Sequence, residues 1–306
     1  MKLAWIVGLA FVGLEAALFY VSTSSSAIPP TPAPQAATSP TASPIAQPIR
    51  YEVRSLPQSE VHLLTIPAGS PYRVMPALSE GVATLKDFAA PAGAIAVING
   101  GFFDPANQQS TSHVTLDGKS AADPKQNDRL TQNPDLAPYL DKIFNRSEFR
   151  QYLCNSEGSP SIRYDVALHS DAPLANCQLA SALGAGPRLL PDLNLQPESF
   201  LEVADGTVIR DPIDHNRLSP RSAIGILPDG GLVWVMVAQK AGAIEASGMT
   251  LQQLADFIKS LGAVKALNLD GGGSASLYYN GTTYYGTLDA QGNPIERPVK
   301  SVLLVK

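Results

Sequence analysis

Apolar residues recur along the chain in two rhythms, one that suits strands and one that suits helices. Residues 61–66 and 94–98 are short apolar runs that read as strands, the second fully buried. Between them Thr84 and Asp87 have capping-box spacing, which predicts a short helix through Ala90. Residues 222–227 and 232–238 flank Pro228-Asp229-Gly230-Gly231, a β-hairpin signal. Thr250 then caps a helix. Gln253 holds the box position, Leu251, Leu254, Phe257, Ile258 and Leu261 form one apolar stripe, and Gly262 ends it. Residues 263–269 and 275–279 follow as strands, with Asn280-Gly281 a type I′ turn between hairpin arms, and 299–305 is the last strand. Helices are few and interleaved with hairpins. The expected fold class is therefore α+β, a single domain on a mixed, mostly antiparallel twisted sheet with a few packed helices. The polar stretch 120–161 reads as a surface insertion, with helices near 135–144 and 147–153.

The first 49 residues follow neither rhythm. Residues 3–21 are apolar apart from Glu15 and follow Lys2, a length close to the ~20 residues that cross a bilayer as a helix. A cleaved signal peptide would have a shorter apolar core and a clear small-x-small site, of which 22–27 offer a weak version. The expectation is an uncleaved anchor, with a cleaved signal peptide as the alternative. Either exports the body, which then faces the periplasm from the inner membrane or is secreted. Residues 22–49 carry no charge and are rich in Pro, Ser, Thr and Ala, the composition of a disordered, semi-rigid linker. The body spans 50–306.

Composition narrows the function. At 44% hydrophobic and 16% charged, the 306-residue chain can bury a sizeable core. Its 22 Lys and Arg against 27 Asp and Glu leave a net charge of −5, which excludes a broad basic face for nucleic acid. An anionic ligand must be held by a few placed cations. Four histidines with no HExxH pair argue against a histidine zinc site. Cys154 and Cys177 form no CxxC; they read as one disulfide in an oxidising compartment, or as two buried thiols.

Two places share one grammar: an apolar strand that stops at a polar residue followed by glycines. One is Ile98-Asn99-Gly100-Gly101 and the other is Leu269-Asp270-Gly271-Gly272-Gly273-Ser274. Glycines there let backbone approach a ligand, and a strand end holds its side chain rigidly. Taken alone, each is equally an ordinary tight turn. Phosphate-loop, dinucleotide and GxSxG patterns are absent. Arg188, Arg221 and Arg297 offer planar forks suited to phosphate or carboxylate.

The segments VINGGFFDP (97–105), GAGPRLL (184–190), SPRSAIGILPDG (219–230), GMTLQQLADFIKSLGAVKALNLDGGGSASLYYNG (248–281) and RPVKSVLLV (297–305) occur in this order. Together they resemble the phosphodiester glycosidase family, from about residue 61 to the end and skipping 120–161. The leader and spacer look like those of a bacterial envelope member. The resemblance implies hydrolysis of a glycosyl phosphodiester, the reaction that elsewhere removes N-acetylglucosamine to uncover mannose 6-phosphate. Such a reaction expels a phosphate monoester through an oxocarbenium-like transition state. It needs cations and amide donors for the phosphate more than a strong general acid.

By matching position, Asp270 is implied as the carboxylate, base or nucleophile, and Arg221 as the phosphate ligand. Asn99 and the amides around Gly100, Gly101, Gly271 and Gly272 would position substrate, and Ser274 would donate a hydrogen bond. Asp104 and Glu245 are second-carboxylate candidates, and Arg188 and Arg297 secondary phosphate contacts. A structural alternative makes Asp270 a pin for the glycine turn; Phe102 and Phe103 read as core rather than sugar platforms. The expected substrate is a sugar phosphodiester of an envelope or extracellular glycan. The rival reading is a non-catalytic envelope module that binds anionic glycans. No cofactor is predicted; calcium stays open, although the alternating Asp/Asn pattern of a calcium loop is missing.

Overall fold

Alternation along single strands sets the layering. In Leu232–Ala238 every residue is buried: Leu232, Trp234, Met236 and Ala238 enter one apolar cluster, while Val233, Val235 and Val237 enter another on the opposite face. A strand apolar on both faces must lie between two layers. The structure, a computed structural model, describes Ser22 and residues 48–306 except 157–158 and 244–245. The anchor at 3–21 and nearly all of the linker lie outside the described residues. Among the described residues no helix is long and apolar enough to cross a membrane.

The first layer is a six-stranded sheet in the spatial order Arg50–Leu56, Ser59–Ile66, Leu232–Ala238, Arg221–Ile226, Lys265–Asn268, Arg188–Leu190. Helix Leu251–Ser260 covers its outer face with Leu251, Leu254, Ala255 and Ile258. Its inner face packs on a five-stranded sheet ordered Thr282–Tyr285, Ser276–Tyr279, Ala96–Asn99, Val299–Val305, Val74–Ala83. Ile98, Leu277, Leu303 and Val305 of that sheet share a cluster with Leu64, Ile224 and Trp234. Helix Leu85–Ala92 closes the far side, setting Leu85 and Phe88 on Val97, Val302 and Leu304. Helix, sheet, sheet, helix is an α+β arrangement, and every strand pairing in both sheets is antiparallel. The local signals hold as well. Thr84 with Asp87 and Thr250 with Gln253 both form reciprocal capping boxes. Asn280 and Gly281 take φ of 46° and 89°, as a type I′ turn requires.

The segment 120–161 departs from expectation. Residues 147–153 form no helix: Ser147–Ser156 is a strand at the heart of a third antiparallel sheet ordered Ser159–Leu168, Ser147–Ser156, Cys177–Gly184, Val114–Leu116, Lys119–Ala122. Phe149 and Tyr152 on it are buried. Near 135–144 the chain makes only a 3-10 turn, Ala137–Tyr139, and a short helix, Leu140–Phe144. The polar residues here misled because they are buried in pairs. Arg150 Nε donates to Glu148 Oε1 at 2.7 Å, and its remaining donors reach the carbonyls of Leu168, His169 and Asp171 and the Tyr152 hydroxyl. Charge satisfied this way tolerates an interior position. Cys154 and Cys177 face each other directly across antiparallel strands, Cα to Cα 4.1 Å, and are disulfide-bonded.

Candidate active site

The two glycine-ended strands belong to different sheets, yet their tips meet. Asn99 is fully buried; its Nδ2 donates to the Asp270 carbonyl at 2.6 Å. Its Oδ1 accepts from Ser222 Oγ at 2.6 Å and from the Ser276 amide at 3.1 Å. The Asp270 amide in turn donates to the Gly100 carbonyl at 2.9 Å. Both acceptor positions of the Asn99 amide and one of its N–H groups are used, so this side chain fixes the Asp270 backbone.

The glycines after Asn99 serve the same joint. Gly100 N–H donates to the Ser301 carbonyl and Gly101 N–H to Ser301 Oγ at 3.1 Å, so neither amide is left for a ligand. A Cβ on Gly101 would stand 2.1 Å from the Gly184 carbonyl oxygen, where no side chain fits. Gly101→Ala should therefore part these strands and cost about 3 kcal/mol, read as a lower urea midpoint with an unchanged m-value.

The second tip is more open. Leu269 is buried and Asp270 only partly so. The Asp270 Oδ1 accepts the Gly271 amide at 3.0 Å, Gly272 N–H donates to Pro220, and the Gly272 carbonyl accepts from Thr287 Oγ1 at 2.9 Å. Gly272 takes φ of 55° to make this bend. The Gly271 and Gly272 amides are thus also spent within the protein, whereas Gly273 N–H has no partner among the described residues. Burial pushes the Asp270 carboxyl up to about 6, against the downward pull of the Ser274 hydroxyl, the Arg297 guanidinium and the Gly271 amide. Ser274 Oγ is buried with no hydrogen bond of standard geometry, yet lies close enough to favour the Asp270 anion.

The guanidinium beside this carboxylate belongs to Arg297, not Arg221. Arg297 lies along the glycine loop, where a Cβ on Gly273 would meet its Cδ at 3.3 Å, and its head stands 5.3 Å over the Phe103 ring. Among the described residues it makes neither a hydrogen bond nor an ion pair. Arg221 is 3% exposed and points the other way. Its Nε donates to Met249, Nη1 to Ile213, and Nη2 to Asp214 and Arg217, all backbone carbonyls at 2.8–3.1 Å. Burial brings its pKa down to about 10, partly offset by Asp211 and Asp214. The expected phosphate ligand is a clamp on the 213–217 loop.

The remaining candidates are not drawn to Asp270. Asp104 pairs with Arg129 Nε at 2.7 Å and accepts the Ala106 amide. Burial alone would raise its pKa; the Ala106 amide and Arg129 outweigh that and hold it below the usual range. Arg188 pairs with Leu267 through its backbone, and its N–H donates to buried Glu198. Its Nε is buried with no partner among the described residues, and no described contact carries it to the carboxylate. Glu245 lies outside the described residues. Phe102, half-buried, rests against Phe200 at 5.6 Å, while Phe103 packs against the cluster under helix Leu85–Ala92. Among the described residues no three His, Cys, Asp or Glu side chains converge on a metal position. Ser222, Ser276, Thr287 and Ser301 were missed. Ser301 alone left a signal, a small polar residue inside the apolar strand Val299–Val305.

What meets here is a carboxyl poised near neutrality, an uncommitted guanidinium and a free amide on one glycine loop. The family model for phosphodiester glycosidases matches residues 92–306. The mouse N-acetylglucosamine-1-phosphodiester alpha-N-acetylglucosaminidase is 27% identical over 200 residues, covering 65% of this chain and 34% of that protein. The chain thus spans about a third of the length of that curated relative. The zebrafish N-acetylglucosamine-1-phosphodiester alpha-N-acetylglucosaminidase catalytic domain superposes with a TM-score of 0.58 at 18% identity, over 87% of this chain and 84% of that one. A hypothetical protein from Synechocystis superposes with a TM-score of 0.55 at 17% identity, over 84% and 61% respectively. A family match over most of the chain, laid on a carboxylate–guanidinium loop of this kind, identifies the chain as a member of the phosphodiester glycosidase family.

Proposed function

We propose that the chain is an exported hydrolase that cleaves the bond between a sugar's anomeric carbon and the oxygen of a phosphodiester in an envelope or extracellular glycan. One observation carries the reading: the Asp270 carboxyl sits beside Arg297, a guanidinium that makes no hydrogen bond or salt bridge among the described residues. Water adds to the anomeric carbon, the C–O bond to phosphate breaks, and a phosphate monoester leaves with the electron pair. Arg297 and the Gly273 N–H receive the charge that gathers on the departing phosphate. Asp270, ionised above about pH 6, takes the proton of the attacking water, or itself attacks the anomeric carbon to form a glycosyl ester that water then hydrolyses, returning the carboxylate. Asn99 holds the loop that carries it. The apolar run at 3–21 and the Cys154–Cys177 disulfide support export to an oxidising compartment, with anchoring through residues 3–21 where that run is retained.

The test is turnover of an aryl glycosyl phosphodiester and of a UDP-sugar, followed by release of the phosphate monoester. Arg297→Ala should lower kcat/KM about 100-fold while lowering the melting temperature by no more than about 4 °C, since the side chain gives up only the Phe103 contact and the charge beside Asp270. Wild-type protein that binds such compounds but turns none over would be a glycan-binding module instead.

A further inference from the structure

Beside the glycine loop lies a cavity of about 360 Å³ that the reaction above does not use. It is bounded by Glu60, His62, Lys240, Tyr284, Tyr285 and Leu288. Its wall continues directly into the loop. Thr287, next to Leu288, bonds the Gly272 carbonyl, and the Tyr285 hydroxyl donates to Glu296 at 2.7 Å, next to Arg297. A glycan held at Asp270 therefore has this cavity as a neighbour.

The walls are built in advance. Tyr51 stacks on Tyr284 at 5.3 Å and on Tyr279 at 5.2 Å, and His62 meets Tyr284 at 4.7 Å. The Tyr51 hydroxyl is bonded to His62 Nδ1 at 2.8 Å, and His62 Nε2 lies 3.6 Å from Glu60 Oε1. A cavity whose rings are already locked loses little entropy when filled. Its charges balance and give an anion no net attraction. Burial holds His62 below its ordinary pKa and so neutral, although Glu60 pulls the other way. The Lys240 ammonium, held to the Leu56 carbonyl at 2.6 Å, and the half-exposed Glu60 carboxylate both line the space, so their charges offset each other. Tyrosine rings with one carboxylate acceptor and one ammonium donor suit a flat neutral molecule with C–H faces and hydroxyl groups.

We propose that this cavity is a subsite for a neutral sugar residue of the glycan whose phosphodiester is held at Arg297. The assignment rests on the hydrolase reading for the identity of that glycan, but its binding is measured without turnover. The full chain is titrated by calorimetry with maltose, cellobiose and chitobiose, and separately with inorganic phosphate. At least one disaccharide should bind, Glu60→Gln and Tyr284→Ala should each weaken it about tenfold, and Arg297→Ala should leave it unchanged. Glu60→Gln alters a half-exposed side chain and keeps the fold, so its result stands even where Tyr284→Ala melts early. Absence of disaccharide binding, equal affinity in Glu60→Gln and wild type, or a Glu60-dependent affinity for phosphate would each overturn the subsite. Disaccharide binding that depends on Glu60 in a protein without turnover would support the subsite and sink the hydrolase reading alone.

Discussion

Asp270→Asn lowers kcat for a glycosyl phosphodiester about 1,000-fold, the scale of a lost base or nucleophile, and at neutral pH makes the protein more stable. Both effects come from the same burial. An ordinary aspartate ionises near 3.8, whereas this one ionises near 6 in the folded chain. Between those values the unfolded chain has released the proton and the folded chain still holds it. The stability this residue contributes is complete below pH 3.8 and is lost as pH rises through about 6. Two pH units correspond to a penalty on the order of 2–3 kcal/mol at pH 7.5, which asparagine removes while keeping an oxygen for the Gly271 amide. Calorimetric melting should show the variant above wild type at pH 7.5 and level with it at pH 4. Wild-type kcat/KM should climb with pH and level off above about 6, because the anion is the active form. Full turnover by the asparagine variant would make Asp270 a pin for the glycine turn.

Arg221→Ala brings the largest loss of stability, about 3–5 kcal/mol, and removes activity only by unfolding the protein. One buried guanidinium satisfies the carbonyls of Met249, Ile213, Asp214 and Arg217. Truncation removes the donor shared by these four carbonyls and leaves a void where the buried guanidinium lay. Lysine should recover little, since an ammonium cannot span four acceptors set around a planar fork. Urea denaturation followed by fluorescence of buried Trp234, which sits on the neighbouring strand, reports the change. Activity should follow the folded fraction. A variant that folds normally but loses phosphate affinity would return the phosphate-binding role to Arg221 and take it from Arg297.

Much of the framework was open to a reader of the chain alone. Capping boxes at Thr84 and Thr250, the Asn280-Gly281 turn and the apolar strands are local devices, because each works within a few residues and through fixed side-chain geometry. The third sheet was hidden for the opposite reason. Glu148 and Arg150 mark a surface by composition, and only their pairing with each other and with distant carbonyls makes burial affordable.

The site divides along the same line. That an amide and an acid stand at the ends of apolar strands, each followed by glycines, is written in the linear order, since glycine and strand ends impose backbone shape locally. Which arginine turns its head toward Asp270, and which amides are already spent, depends on partners 4 to 200 residues away in the chain. Hydrogen-bond donors are consumed by whichever acceptor folding brings near. The choice of Arg297 over Arg221 therefore exists only once the two sheets have closed on each other.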